Sequence, residues 1–172
     1  MDVEKLIDSL DRFGVMLPEI VRDVPTGDAR WKPPDGAWSI LEIVCHLADE
    51  EEFDFRPRIQ SILADPARSW PPIDPERWAI ERRYNEISLD DAVARFGALR
   101  RESLGWLRSL EQPDWSQAYQ HPEFGPFPAG DIFAAWVAHD YLHLRQISKR
   151  LYQIAEQNAG EFSVRYAGVW KA

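Results

Sequence analysis

The stretch WSILEIVCHLADEE, residues 38–51, carries the clearest local structural signal in the chain. Ser39 can act as a helix N-cap, and Glu42 three residues later completes a capping box. Trp38 precedes the cap and can pack on Ile43 as a hydrophobic staple. The stretch therefore predicts that a helix begins directly after Ser39.

Helical spacing of apolar residues extends along most of the chain. The apolar residues from Val3 to Leu17 recur at steps of three and four, which predicts a first helix. The second helix, after Ser39, should end near Pro57, or bend there and continue to about Ala64, because proline breaks the helical hydrogen-bond ladder.

Two further helices complete the pattern. Residues 65–87 contain four prolines and predict a long irregular connection, with a short helix in ERWAIERRY. A third helix should begin at the N-cap Ser88 and end near Pro113. The segment HPEFGPFPAGD is predicted to be a loop that leads into a fourth long helix over about 131–157.

Four long helices without a clear strand predict an all-α protein, built as a four-helix bundle. The long connection between helices two and three favours a topology other than simple up-down-up-down. A chain of 172 residues with 45% hydrophobic content can bury a substantial core. We therefore expect a single domain over residues 1–172.

Composition restricts the classes of partner. A net charge of −9 opposes binding to phosphate backbones and to anionic membrane surfaces. The sequence contains no stretch close to the ~20 apolar residues that span a bilayer, and its first residues lack the apolar core of a signal peptide. Cys45 is the single cysteine and cannot form an internal disulfide. We expect a cytoplasmic protein that binds neither nucleic acid nor membranes.

Two of the four histidines lie four residues apart in HDYLHLRQI, residues 139–147. At about 100° per residue, His143 lies about 40° from His139 and one turn further along the helix. Apolar residues share their sector, so both imidazoles should face the bundle interior. His46 lies at the edge of the core-facing stripe of the second helix, beside several acids.

These histidines have two explanations. An HxxxH pair alone is a weak signal, and core histidines with ordinary hydrogen bonds are the common case. Burial of adjacent imidazoles is costly unless each has a partner, and one metal ion satisfies two at this spacing. His46 on another helix would complete a three-nitrogen site with an open position. Asp140 follows His139 where a zinc-protease HExxH motif needs glutamate, which argues against a protease.

Taken together, these residues resemble the DinB-like superfamily of four-helix metalloproteins, which includes YfiT-like metal-dependent hydrolases and thiol S-transferases. The matching segments are WSILEIVCHLADEE, FGALRRESLGWLRSL and HPEFGPFPAGDIFAAWVAHDYLHLRQI, which span most of residues 36–150. The resemblance implies a DinB/YfiT-like topology and a divalent metal bound by His46, His139 and His143. Many relatives have a threonine cap before the last helix, where this chain has PFPAGD.

The resemblance implies two reactions at such a site. A zinc, nickel or iron ion, among which three histidines do not discriminate, can activate water for hydrolysis or a low-molecular-weight thiol for S-transfer. The non-catalytic alternative is a metal-binding or stress-response helical protein with a structural metal. The expected partners are a small-molecule substrate, with a low-molecular-weight thiol as one candidate, and a second copy of the chain in a homodimer.

Glu50 and Arg100 are the candidate catalytic residues. Glu50, together with Asp49, can orient His46 or act as a base; the alternative is that both are solvated acids. Arg100 lies on the inner face of the third helix by spacing and can bind an anionic substrate. Alternatively, the stem of Arg100 packs inside while its charged head reaches water.

Other polar residues are predicted to have structural roles. His121, next to a proline, should stabilise a turn or lie at the rim of the pocket. Gln146 and Arg150 follow the histidine pair by one and two turns and are expected to be structural. Cys45 lies about 100° from His46 around the helix and should be a small core residue.

Overall fold

A computed structural model describes residues 1–170. The described part is mostly helical, with one small antiparallel hairpin. Its elements are α1 (Val3–Val21), α2 (Thr26–Arg30), α3 (Ile40–Phe53), α4 (Phe55–Ala64), α5 (Pro75–Glu81), α6 (Leu89–Ser109), β1 (Ala118–His121), β2 (Gly125–Pro128) and α7 (Ala129–Asn158), with 3₁₀ turns at Tyr84–Glu86 and Val164–Ala167.

The capping box at the start of α3 is confirmed. The backbone N–H of Glu42 donates to Ser39 Oγ at 3.1 Å, and the backbone N–H of Ser39 donates to Glu42 Oε2 at 2.9 Å. Ser39 Oγ also donates to Asn85 Oδ1 at 2.8 Å, which ties the cap to the 3₁₀ turn before α6. Trp38 packs against the core cluster that contains Ile43. This local chemistry fixes where the helix that carries His46 begins.

The second predicted helix breaks earlier than expected. Asp54 leaves the helical conformation at φ −121° and ψ −88°, and α4 begins at Phe55. The predicted bend at Pro57 is therefore wrong by three residues. Pro57 instead lies in the first turn of α4, where backbone N–H groups have no partner within the helix and proline removes little.

The bundle consists of α1, α3 with its continuation α4, α6 and α7. Both α1 and α3 pack against α6 and α7, and α4 packs against α7. The first two bundle helices along the chain are therefore diagonal to each other, not neighbours. This arrangement confirms the all-α four-helix bundle and the prediction that its topology is not simple up-down-up-down. It also brings α3 directly beside α7.

The segment predicted as a loop before α7 contains a β-hairpin. Strands β1 and β2 pair antiparallel, with Ala118 opposite Pro128 and His121 opposite Gly125. Strand β2 contains Pro126 and Pro128, which are tolerated because a two-stranded ribbon has only edges. Gly125 has φ +77°, which glycine adopts readily. Within residues 1–170, this hairpin is a small addition to a helical fold.

The helix α3 lies at the centre of the molecule and is buried on every face from Ile40 to Glu51. Three of its acids are therefore not solvated, since Asp49, Glu50 and Glu51 are all buried. The alternative that Asp49 and Glu50 are solvated acids is wrong, because α3 is packed between α6 and α7. Cys45 is buried in the core, as predicted. No helix in residues 1–170 has the length and hydrophobicity needed to cross a membrane.

Candidate metal centre

Three histidines from two helices meet in the interior. His46 on α3 and His139 on α7 place their Nε2 atoms 3.3 Å apart, and His139 and His143 place theirs 3.0 Å apart. One nitrogen from each of the three residues lies within 4.8 Å of the others. The structure thus brings together the three residues that the sequence predicted as a group.

No placement of protons gives each of the three Nε2 atoms an ordinary two-centre hydrogen bond within this group. A ring nitrogen carries either a proton or a lone pair, so it is either a donor or an acceptor. The Nε2 atom of His139 faces the Nε2 atoms of both His46 and His143. It cannot accept from one and donate to the other. A single cation between the rings would satisfy all three lone pairs at once.

The separations fit a metal ion. Zinc–nitrogen bonds of about 2.0–2.1 Å in a tetrahedron place neighbouring ligand atoms roughly 3.3 Å apart. The two short Nε2–Nε2 distances of 3.0 and 3.3 Å are close to that value. The donor set of three imidazoles suits zinc, nickel or iron. The residues present therefore fit a divalent metal.

Burial keeps all three imidazoles neutral. Desolvation, followed by the neighbouring histidines, lowers the pKa of His46 to about 2. Desolvation, followed by the charges of His143 and Arg100, lowers the pKa of His139 to about 3. Desolvation also lowers the pKa of His143 to about 4, although Gln146 opposes that shift. Neutral rings have a free lone pair for a metal at physiological pH.

Gln146 orients one of the rings. Nδ1 of His143 lies 2.9 Å from Gln146 Oε1, so the amide oxygen can accept the proton of that nitrogen. A proton on Nδ1 leaves the lone pair on Nε2, which points at the other two histidines. Gln146 was predicted to be structural; its side chain in fact contacts a residue of the site.

Glu50 lies beside the histidines, as predicted. Its Oε1 atom is 3.5 Å from His46 Nδ1, and both side chains are almost fully buried. Burial, followed by the neighbouring carboxylate of Asp54, raises the pKa of Glu50 to about 9. Oε1 of Glu50 has no hydrogen-bond partner among residues 1–170. A carboxyl group with these properties can hold or move a proton next to His46.

The histidines form one wall of an open pocket of about 620 Å³. Trp38 covers one side, with its ring stacked on His143 at 6.3 Å and tilted against His46 at 4.8 Å. Phe55 packs edge-on against His139 at 5.0 Å. The long connection between α4 and α6 closes another side through Glu76, which accepts a hydrogen bond from Trp38 Nε1 at 3.2 Å. The pocket has the size of a small-molecule site.

Asp49 faces away from this pocket. Its carboxylate accepts a hydrogen bond from Arg82 at 2.5 Å, pairs with Arg95 at 2.6 Å and accepts from the Tyr84 hydroxyl. The prediction that Asp49 orients His46 is therefore not supported. Its partners lie in the segment that directly follows α5 and in α6, so Asp49 connects α3 to those parts of the chain.

Arg100 lies in a buried ion network, away from the pocket wall. Its side chain is 2% exposed, so the expectation that its head reaches water is wrong. Nε donates to Glu51 Oε1 at 2.7 Å, while Nη1 and Nη2 donate to the two oxygens of Asp140 at 2.7 and 2.9 Å. With both acids already bound to it, Arg100 has no place to bind a substrate anion. The predicted substrate contact is therefore corrected to a structural role.

His121 stabilises a turn, which is the first of the two roles predicted for it from the sequence. Its Nδ1 accepts hydrogen bonds from the backbone N–H groups of Glu123 and Phe124, at 3.2 and 3.3 Å. These bonds close the turn of the β-hairpin. His121 does not join the other three histidines.

Comparison with known proteins agrees with this geometry. The family model described as the DinB superfamily matches residues 9–147. The chain belongs to the DinB superfamily. The family predicted from the sequence motifs is thus confirmed, and the matched region contains His46, His139 and His143.

Relatives of this DinB-superfamily chain are named for metal-dependent chemistry. Two proteins of Oceanobacillus iheyensis, each named "putative metal-dependent hydrolase", are similar over most of their length. One is 22% identical over 146 residues, which cover 85% of this chain and 84% of the relative. The other is 24% identical over 148 residues, which cover 85% and 83%.

One solved structure shows the same fold. YfiT from Bacillus subtilis, described as a probable metal-dependent hydrolase with an unusual four-helix bundle topology, superposes with a TM-score of 0.79. The match has 19% sequence identity and covers 89% of this chain and 87% of YfiT. Because the sequence identity is low, this match establishes the fold alone. The DinB-superfamily chain is a four-helix bundle in which α1 and α3 lie diagonally opposite each other.

Proposed function

We propose that this protein is a divalent-metal-dependent hydrolase, with His46, His139 and His143 as the metal ligands. The observation that carries the proposal is the convergence of three neutral Nε2 atoms on one point in the wall of an open pocket. The names of the similar proteins support the reaction class. Three protein ligands leave a position open for chemistry, whereas structural zinc sites are closed by four.

A divalent cation held by these rings would supply Lewis-acid chemistry, which lowers the pKa of water or a thiol and polarises a carbonyl group. The chain supplies orientation and proton handling. Gln146 holds His143 in the tautomer that presents Nε2. Glu50 lies 3.5 Å from His46 Nδ1 in the pocket wall, where its carboxyl group can transfer a proton to or from a substrate.

Thiol S-transfer is the second candidate reaction. The pocket of about 620 Å³ has room for a thiol together with an electrophile. The same three ligands would serve this reaction, because a divalent metal also favours the thiolate form that attacks the electrophile. Neither catalytic proposal requires Arg100.

A panel of reactions tests the proposal. Zinc-loaded and nickel-loaded protein should accelerate hydrolysis of at least one ester, lactone or amide substrate, or conjugation of monochlorobimane by a low-molecular-weight thiol. His139→Ala should lose that activity, because it removes the ring that contacts both others. His121→Ala is the matched control, since it removes a histidine outside the site and should keep the activity.

A loaded protein that accelerates no reaction in the panel would favour the alternative of a non-catalytic metal-binding or stress-response protein. Equal activity of His139→Ala and His121→Ala would contradict the site itself. The homodimer, the cytoplasmic location and the single domain over residues 1–172 stay predictions, which size-exclusion chromatography, cell fractionation and limited proteolysis can test.

A further inference from the structure

Arg150 is a buried cation in the wall of the histidine pocket. It is 4% exposed and lies on α7, two turns past His143. Its Nε donates to the backbone oxygen of Trp38 at 2.7 Å, and its Nη1 donates to Gln153 Oε1 at 2.6 Å. Both acceptors are neutral. Of the five N–H donors of a guanidinium, three therefore remain free.

The other buried arginine of residues 1–170 has a different environment. Arg100 forms hydrogen-bonded ion pairs with both Glu51 and Asp140. No carboxylate of the described chain lies within the 4.0 Å salt-bridge distance of the Arg150 guanidinium. A buried charge without a counter-charge costs free energy unless something compensates it. Arg150 is thus the buried arginine that has no carboxylate bonded to it, and it lines a cavity.

The acids of the pocket do not take this role. Glu76 accepts the indole N–H of Trp38, and Asp54 pairs with Arg58. Asp35 accepts the backbone N–H of Ala37 at 3.1 Å and acts on Arg150 only through space. Glu50, the fourth acid of the pocket, lies beside His46 on α3. The free donors of Arg150 therefore have no bonded anion in the pocket.

We propose that Arg150 binds a carboxylate of the substrate, which makes the substrate of the proposed hydrolase or transferase a small carboxylic acid. This inference rests on the proposed function, because only an enzyme would treat the bound carboxylic acid as a substrate. A carboxylate matches the planar donor geometry of a guanidinium and would supply a directly bonded counter-charge. Arg150 follows His143 by seven residues, on the order of 10 Å along the helix. The substrate therefore places its reacting group several bonds from its carboxylate.

A purely structural role gives different expectations. The bond from Arg150 Nε to the Trp38 oxygen also connects α7 to the residue before the α3 cap. If Arg150 served only this connection, its replacement would lower stability and leave the binding of carboxylates unchanged. Binding must therefore be measured alongside stability.

The test uses glutarate and its uncharged diamide, glutaramide, as probes. Glutarate dissociation constants are measured by nuclear magnetic resonance titration of metal-free and zinc-loaded wild type. Arg150→Gln should weaken glutarate binding about 10- to 100-fold in both forms, as expected for loss of a charge-assisted hydrogen bond. Arg150→Lys should weaken it less, because the charge remains. Neither change should alter the weaker binding of glutaramide by more than about twofold.

Arg145→Gln is the matched control. It removes the same charge from an exposed position on the same helix and should leave glutarate binding unchanged. In wild type, the Nε–H resonance of Arg150 and the indole N–H resonance of Trp38 should shift with glutarate but not with glutaramide. This measurement needs no variant and holds even if Arg150→Gln fails to fold.

Glutarate that does not bind the wild type, or binds Arg150→Gln equally well, would overturn the proposal. If Arg145→Gln weakened glutarate binding as much as Arg150→Gln does, the effect would come from the overall charge of the protein. That result would also overturn the proposal. The metal-free titration depends on Arg150 and not on the metal. Failure of the carboxylate site is therefore distinguishable from failure of the histidine site, which is read from metal content.

Discussion

The guanidinium of Arg100 forms a two-point ion pair with the carboxylate of Asp140, the residue that directly follows His139. The two hydrogen bonds are 2.7 and 2.9 Å long, and both side chains are buried. The same guanidinium donates to Glu51 on α3 and to the backbone oxygen of Leu10 on α1. One side chain of α6 therefore joins the other three helices of the bundle.

This network lies directly behind the candidate metal centre. Glu51 is five residues after His46 on α3, and Asp140 is adjacent to His139 on α7. Glu51 also accepts hydrogen bonds from Ser103 Oγ at 2.6 Å and from Trp136 Nε1 at 3.0 Å. We infer that the network fixes how α3 and α7 lie against each other, and so supports the approach of their histidines.

Arg100→Ala should destabilise the protein by about 3–5 kcal/mol, because it leaves Glu51 and Asp140 buried without their counter-charge. Urea unfolding followed by circular dichroism measures this change. Arg101→Ala is the control, since Arg101 is the next residue and is exposed. It should change stability by less than about 0.5 kcal/mol. A similar small effect for both variants would show that the network contributes little.

Two helical glycines should respond oppositely to alanine. Alanine is intrinsically favoured over glycine in a helix by about 0.5–1 kcal/mol. A Cβ atom at Gly105 would meet no atom within 4 Å, so Gly105→Ala should stabilise by about that amount. A Cβ atom at Gly14 would lie 3.0 Å from Cγ of Arg100, whose head is fixed by its hydrogen bonds. Gly14→Ala should destabilise instead.

Thermal unfolding of the two glycine variants provides the measurement. The account predicts a higher melting temperature for Gly105→Ala and a lower one for Gly14→Ala, relative to wild type. A rise for both would mean that the stem of Arg100 moves aside easily, contrary to the tight packing of α1 on α6.

The metal-free protein should lose part of its stability as the pH falls below about 6.5. The folded-state pKa values of His46, His139 and His143 are lowered to about 2, 3 and 4, whereas the unfolded chain binds protons near pH 6.5. Between these values the unfolded state holds more protons, so acid favours unfolding. Glu50 has the opposite effect on stability. Its raised pKa makes the folded state hold more protons than the unfolded state, so this contribution to stability is lost as the pH rises towards 9.

A histidine variant separates the two contributions. In His143→Gln, the proton uptake on unfolding between about pH 4 and pH 6.5 should fall by about one relative to wild type. The pH dependence of the urea-unfolding free energy gives this number, with His121→Gln as the control. An identical pH dependence for wild type and His143→Gln would show that His143 titrates normally and is not buried neutral.

Local and periodic features of this chain were predictable from the sequence. The capping box of Ser39 and Glu42 depends on residues three apart, and it located the start of α3 correctly. The 3.6-residue period also placed His139 and His143 on one inward face. Such features depend only on neighbours along the chain, so one sequence suffices to read them.

Features that depend on contacts between distant segments were missed. A helical period gives the direction of Arg100 but not its partners, so the bond to Asp140, forty residues away, was not foreseen. Burial of the acids of α3 follows from its central position between α6 and α7. The hairpin before α7 was missed because its prolines oppose strands in general, and only its two-stranded form tolerates them. The break at Asp54 carried no proline or glycine signal.

The metal content of purified protein tests the central claim most directly. Inductively coupled plasma mass spectrometry should find about one divalent metal ion per chain in wild type and in His121→Ala. His139→Ala should retain essentially none after the same purification, because the ring that contacts both other histidines is absent. Equal metal content in His139→Ala and wild type would contradict the three-histidine centre.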